Sequence, residues 1–97
     1  METVKNMRLQ FTKLANEDLN HAYDYIAQDN PSTANAVIER IAKAVATIRE
    51  YPSIGKKGRV NGTREFLASN TPFVLVYRIN KNVLHILTIL HTSKNYP

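Results

Sequence analysis

Phe73-Val74-Leu75-Val76-Tyr77-Arg78-Ile79 is the stretch on which the fold turns. Its β-branched and aromatic residues favour a pleated strand. Every side chain but Arg78 is apolar, so both faces of the strand must be buried, which puts it in the middle of its sheet. Asn80-Lys81-Asn82 then reads as a tight turn, because Asn tolerates the left-handed backbone that turns require. Val83 to Leu90 follows as a second strand. With Ile79 facing Val83, Arg78 falls opposite Leu84. Upstream, Arg64 to Ala68 reads as a short strand and Ser69-Asn70-Thr71-Pro72 as the turn that joins it to the central one. With Ala68 facing Phe73, Arg64 falls opposite Tyr77.

Working back toward the N-terminus, the hydrophobic period changes from two to 3.6. Leu19, Ala22, Tyr23 and Ile26 form one apolar stripe that runs to about Gln28. Asn16 is the expected cap of this helix, with Glu17 and Asp18 in the first turn, where the helix dipole favours anions. Asn30-Pro31 starts a second helix, Asn as cap and Pro at the first helical position. Its stripe is Ala34, Val37, Ile38, Ile41, Ala42, Val45 and Ile48. Tyr51-Pro52 ends it, since proline disfavours helical geometry in the residue before it. Before the helices, Met7 to Thr12 alternates apolar and polar like a half-buried strand. Met7 is an alternative start, which would leave residues 1–6 as an N-terminal extension. Two amphipathic helices joined this closely fold back as a hairpin and need a surface to cover. The expected fold is therefore α+β, in the order β-α-α-β-β-β, a helical hairpin packed on one face of an antiparallel sheet, as a single domain over residues 1–97.

Composition limits the functions open to such a domain. The 97 residues include no cysteine, which excludes disulfides, thiolate metal sites and cysteine nucleophiles and fits a cytoplasmic protein. No apolar run reaches the roughly 20 residues that span a bilayer, so no membrane partner is expected. Net charge is +5, and it is unevenly placed. Residues 1–50 carry six basic and seven acidic side chains, a net of −1, while residues 51–97 carry seven basic groups against Glu65 alone, a net of +6. Much of that charge lies in Pro52 to Gly62, where Lys56, Lys57 and Arg59 are spaced by Gly55, Gly58 and Gly62. A basic face of this kind suits a polyanion or an acidic protein partner.

Asn30-Pro31, then Tyr51-Pro52-Ser53-Ile54-Gly55, then Gly62-Thr63-Arg64-Glu65, then Pro72-Phe73-Val74-Leu75-Val76-Tyr77-Arg78 and a last strand ending Ile89-Leu90-His91 form an ordered set. In that order, over roughly residues 7–97, the set resembles the RelE/ParE superfamily of bacterial toxins. The resemblance implies the toxin of a type II toxin–antitoxin pair, in a hetero-oligomer with its cognate antitoxin. It also implies one of two activities. RelE-like members are ribosome-dependent endoribonucleases that cut mRNA with basic side chains and a Tyr or His near the C-terminus. ParE-like members inhibit DNA gyrase without catalytic chemistry of their own. Gly-Thr-Arg-Glu, the Pro-Phe-x-x-x-Tyr-Arg strand and the closing Leu-His look more like ParE.

Metal-free ribonuclease chemistry needs a base for the 2′-hydroxyl, an acid for the leaving oxygen and cations for the phosphorane. On the RelE-like reading the set would be Arg59, Arg64, Arg78, His91 and Tyr96. On the strand pairing above, Arg64 and Arg78 lie at one end of the sheet. His91 is seven residues along the last strand from Leu84, about 23 Å away at about 3.3 Å per residue. The strand-borne candidates therefore fail to converge, and the expectation leans away from an enzyme. The basic groups of this half, with His91, serve better as a target-binding set: Lys56, Lys57, Arg59, Arg64, Arg78, His91 and Lys94. Glu65 is expected to pair with Arg64 or Arg78. His85 and His91 fall on one face of a regular strand but about 20 Å apart, too far to share a metal ion, and no cofactor is called for. An antitoxin tail rich in Asp and Glu would complement the basic half, with Tyr23, Ile26 and Ile41 of the hairpin offering an apolar groove for it.

Overall fold

The computed structural model describes residues 7–92. In chain order the elements are β1 (Arg8–Phe11), α1 (Lys13–Ala27), α2 (Pro31–Glu50), β2 (Lys56–Lys57), β3 (Arg64–Leu67), β4 (Phe73–Asn80) and β5 (Val83–His91). The strands form one sheet in the order β1-β5-β4-β3-β2, with β4 central as its apolar sequence requires. From β2 to β5 neighbours are antiparallel, while β1 joins the free side of β5 in parallel, which makes the sheet mixed. Tyr77, Leu75, Leu84 and Ile86 from the sheet and Ile41 and Ile48 from α2 are fully buried and form the centre of the core. Met7, Ala15, Ala22, Val37, Val45, Phe73 and Ile89 extend it.

Both helices start at a residue whose side chain accepts a backbone N–H. Asn30 Oδ1 caps α2 through Thr33 N–H at 3.2 Å, with Pro31 in the first turn as expected. For α1 the cap is Thr12, four residues before Asn16. Thr12 Oγ1 accepts from Ala15 N–H at 3.0 Å and donates to Leu87 O at 2.7 Å. One hydroxyl thus ends β1, starts α1 and fastens both to β5. Asn16 and Glu17 are consequently exposed residues inside the helix, and Asp18 takes a different role. Its carboxylate accepts from Thr88 Oγ1 at 2.5 Å and from Ile89 N–H at 2.9 Å. Because β1 pairs only with Val83 to Ile86, the next part of that β5 edge would lack a partner, and Asp18 supplies an acceptor there. In α2 the buried stripe includes Ala44 where the spacing suggested Ala42, which is exposed. At its end Arg49 donates to Met7 O, a cation in the last turn where the helix dipole favours it.

Two local features reset the expected register. The β4–β5 turn has two residues, Lys81 at φ 50° and Asn82 at φ 65°, both left-handed, so Asn80 pairs with Val83. This hairpin turn matches the twist of the strands. Arg78 therefore lies opposite His85, one residue from the expected Leu84. A bulge then follows: Tyr77 pairs with Ile86 but Val76 with Thr88, leaving Leu87 as the extra residue. A bulge exchanges the faces of everything beyond it relative to a regular strand. His85 and His91, which regular alternation would place together, end on opposite faces.

Candidate target-binding face

Directly opposed cross-strand residues share a face, and successive residues alternate. The helices cover the face bearing Phe73, Leu75, Tyr77, Leu84 and Ile86. The opposite face carries Arg8 and Gln10 of β1, His85 of β5, Arg78 of β4, Glu65 of β3 and Lys56 of β2. Among the described residues no helix or strand lies over it. Its one acid, Glu65, is 6% exposed and accepts the Arg59 N–H at 3.2 Å, with Arg59 Nε 3.6 Å away. Glu65 thus engages Arg59 and not Arg64 or Arg78 as expected; residue 59 is brought to it because the loop after β2 folds back over β3. Outwardly the face carries full cations on three strands, Arg8 of β1, Arg78 of β4 and Lys56 of β2, with His85 of β5 between the first two.

The basic loop is held firmly. Tyr77 Oη donates to Pro52 O at 2.7 Å and accepts from Gly55 N–H at 3.0 Å. Burial pushes the Tyr77 phenol up from the ordinary tyrosine pKa, outweighing the opposing Gly55 hydrogen bond and the nearby Arg64 charge. Arg64 Nη1 donates to Gly55 O at 2.8 Å and to Ser53 O at 3.3 Å. Gly58 N–H donates to Thr63 O at 2.8 Å, and Thr63 Oγ1 donates to Val60 O at 2.7 Å. A Cβ on Gly58 would come within 2.2 Å of Thr63 Oγ1, so glycine is needed for this approach. The segment expected to be a loop contains β2, missed because two lysines show no hydrophobic alternation.

The expected site residues separate accordingly. Arg78 and Lys56 lie on the uncovered face, with Arg59 at its margin. Lys57 and Arg64 lie opposite each other on the helix side of the sheet, and the Arg64 guanidinium is occupied with backbone carbonyls. His91 is on the helix side at the far end, opposite Phe73, with the two rings edge to face at 5.3 Å. Six residues of β5 separate it from His85, the partner of Arg78, or about 20 Å. Lys94 and Tyr96 lie outside the described residues. Tyr77, a further acid–base type near Arg64, is wholly buried and out of reach of a substrate. Arg8 and His85 are additions to the set. The alternation of Met7, Leu9 and Phe11 could have flagged Arg8, but only knowledge that β1 joins β5 places it near Arg78.

The hairpin presents a separate groove, lined by Leu19, Asn20, Tyr23, Asn35, Ile38 and Glu39. Tyr23 is one of its lining residues. Ile26 is half-buried against the core, and Ile41 is 2% exposed and part of the core, so Ile38 takes its place in the groove. Among the described residues no three His, Cys, Asp or Glu side chains come together as a metal site would need. Among the described residues no helix is long and apolar enough to cross a membrane.

Comparison with known proteins agrees with this architecture. The family described as the ParE toxin of type II toxin–antitoxin systems, parDE, matches residues 9–96. The chain is 37% identical over 90 residues to the putative toxin Y4kP of Sinorhizobium fredii, covering 93% of each protein. It is 30% identical over 77 residues to toxin RelE2 of Caulobacter vibrioides, covering 79% of this chain and 85% of that one. Among solved structures it superposes on a chain of the chromosomal ParDE toxin–antitoxin system of P. aeruginosa with a TM-score of 0.79 at 26% identity, covering 90% of this chain and 97% of that one. With the two-helix, five-strand fold in place and the family match running almost from end to end, the chain belongs to the ParE toxin family of type II toxin–antitoxin systems.

Proposed function

We propose that this toxin inhibits DNA gyrase by docking on it, without chemistry of its own, and that a cognate antitoxin with an acidic tail neutralises it in the cytoplasm. The observation that carries the reading is the dispersal of the candidate catalytic groups. Arg78 lies on the uncovered face, Arg64 on the helix side bound to backbone carbonyls, and His91 at the far end against Phe73. General acid–base catalysis needs its partners within hydrogen-bond reach of one substrate. A binding face has no such requirement and gains from cations spread over three strands. The likeness to a ParDE structure supports the same choice. The antitoxin tail would occupy the α1–α2 groove around Tyr23 and Ile38, in a toxin–antitoxin hetero-oligomer.

Purified toxin added to purified gyrase and relaxed plasmid tests this. Loss of supercoiling, or trapped cleaved DNA, is the expected result, and His91→Ala should leave it within about twofold. The identity with toxin RelE2 keeps a ribosome-dependent mRNA endoribonuclease as the second reading. Cleavage of mRNA in a translating extract, with gyrase unaffected and activity abolished by His91→Ala, would replace the first reading by the second.

A further inference from the structure

A second positively charged site lies away from the basic loop and sheet face, in a cleft between the middle of α2 and the turn joining β3 to β4. The cleft measures about 240 Å³ and is lined by Arg40, Lys43, Ala44, Thr47, Phe66, Ser69 and Asn70. It contains two full positive charges and no acid. Glu39 stands four residues before Lys43, the spacing at which a helical ion pair normally forms. Here Glu39 instead lines the α1–α2 groove. The Lys43 ammonium has no hydrogen-bond or ion-pair partner among the described residues. Arg40 Nη1 has one long contact, 3.5 Å to Asn70 O. Across the cleft, the Ser69 hydroxyl and the Asn70 side-chain amide are also without partners among the described residues. Asn70 is held at φ 60°, and Thr71 N–H donates to Ala68 O at 3.2 Å, which fixes the turn that carries both groups.

We infer that this cleft binds a phosphate group. A guanidinium, an ammonium, a hydroxyl and an amide N–H₂ are all donors, and they line the cleft from α2 on one side and the β3–β4 turn on the other. Charge-assisted hydrogen bonds from Arg and Lys are the strong class for phosphate oxygens. Phe66 adds a half-buried apolar ring to the lining of the cleft. The ligand chemistry could come from a free phosphate or from the phosphodiester backbone of DNA. The site is distinct from the face proposed to meet gyrase and does not depend on that proposal.

The test is an amide-resolved NMR titration of the whole chain with inorganic phosphate, with a short DNA duplex, and with chloride at matched ionic strength. Saturable shifts confined to residues 40–47 and 69–71, absent with chloride and weakened at least tenfold in Arg40→Gln/Lys43→Gln, are expected. Ser69→Ala, a smaller change, should weaken binding severalfold and guards against misfolding of the double variant. The same shifts at lower concentrations of duplex would identify the phosphodiester as the source; shifts with phosphate alone would identify a free phosphate. Shifts that chloride reproduces, that both variants retain, or that fall only on the Lys56 and Arg78 face would overturn the inference.

Discussion

Replacing Tyr77 with Phe removes one oxygen atom and nothing else. That oxygen donates to Pro52 O at 2.7 Å and accepts from Gly55 N–H at 3.0 Å, so its loss leaves a donor and an acceptor without partners where the basic loop departs from α2. Gly55 and the whole Tyr77 side chain are buried, and water cannot readily take the place of the hydroxyl. A buried unsatisfied polar group costs about 1–3 kcal/mol, and the ring that remains opens no sizeable cavity, so we expect a loss of about 2 kcal/mol. In a domain of this size that is a fall in Tm of about 8–16 °C. Urea unfolding followed by circular dichroism measures it directly. A loss below about 0.5 kcal/mol, with an unchanged denaturant slope, would refute the claim that this hydroxyl anchors the loop. The same variant has a pH signature. Tyr77 has a raised pKa in the fold, so the folded state keeps its proton while the unfolded chain releases it near the ordinary value of 10.0. Stability from this group is complete below that value and is lost as the pH rises through the folded pKa. Wild type should therefore lose stability more steeply than Tyr77→Phe at strongly alkaline pH.

Three further outcomes follow from the geometry. Gly55→Ala would place a Cβ 2.7 Å from Tyr77 Oη and 2.8 Å from its Cε1, on a ring that has no room to move; a loss of about 1–3 kcal/mol should appear in the same urea assay. Asp18→Ala strips the Ile89 N–H of its acceptor and should cost about 1–3 kcal/mol, while Asp18→Asn, which keeps a carbonyl oxygen, should cost about half as much; equal stability of Asp18→Ala and wild type would dismiss the edge role. Arg8→Glu with Arg78→Glu changes only exposed side chains, so unfolding should move little while the proposed gyrase inhibition weakens at least tenfold, a change of about 1.4 kcal/mol in binding.

Much of the fold can be read in the sequence because its signals are long and redundant. Seven consecutive strand-forming residues fix β4, and the stripe from Ala34 to Ile48, framed by Asn30-Pro31 and Tyr51-Pro52, fixes α2. The parts that escape are short or depend on distant partners. Thr12 outcompetes Asn16 as a cap because it also reaches Leu87, a contact no local propensity contains. The single extra residue at Leu87 leaves no mark in composition, yet it decides which way His91 faces. The site is legible to the extent that residue types suffice. Lys56 and Arg78 are visible as cations, and the pairing of Arg64 with Tyr77 follows from the neighbouring turn, but that Arg8 shares a face with Arg78 follows from a strand pairing made across most of the chain.

The parallel seam between β1 and β5 has a consequence for the birth of the molecule. Thr12 meets Leu87, 75 residues later, and Arg8 to Phe11 have no strand partner until Val83 to Ile86 have been made. Contacts of such sequence separation carry a large loop-closure cost and form late. Synthesis delivers residues in order, at about 5–20 per second, so the helical hairpin waits several seconds with its apolar stripe uncovered before the sheet can close beneath it. A nascent chain of this toxin is therefore sticky before it is folded, and an antitoxin already in the cell meets it with no head start to overcome.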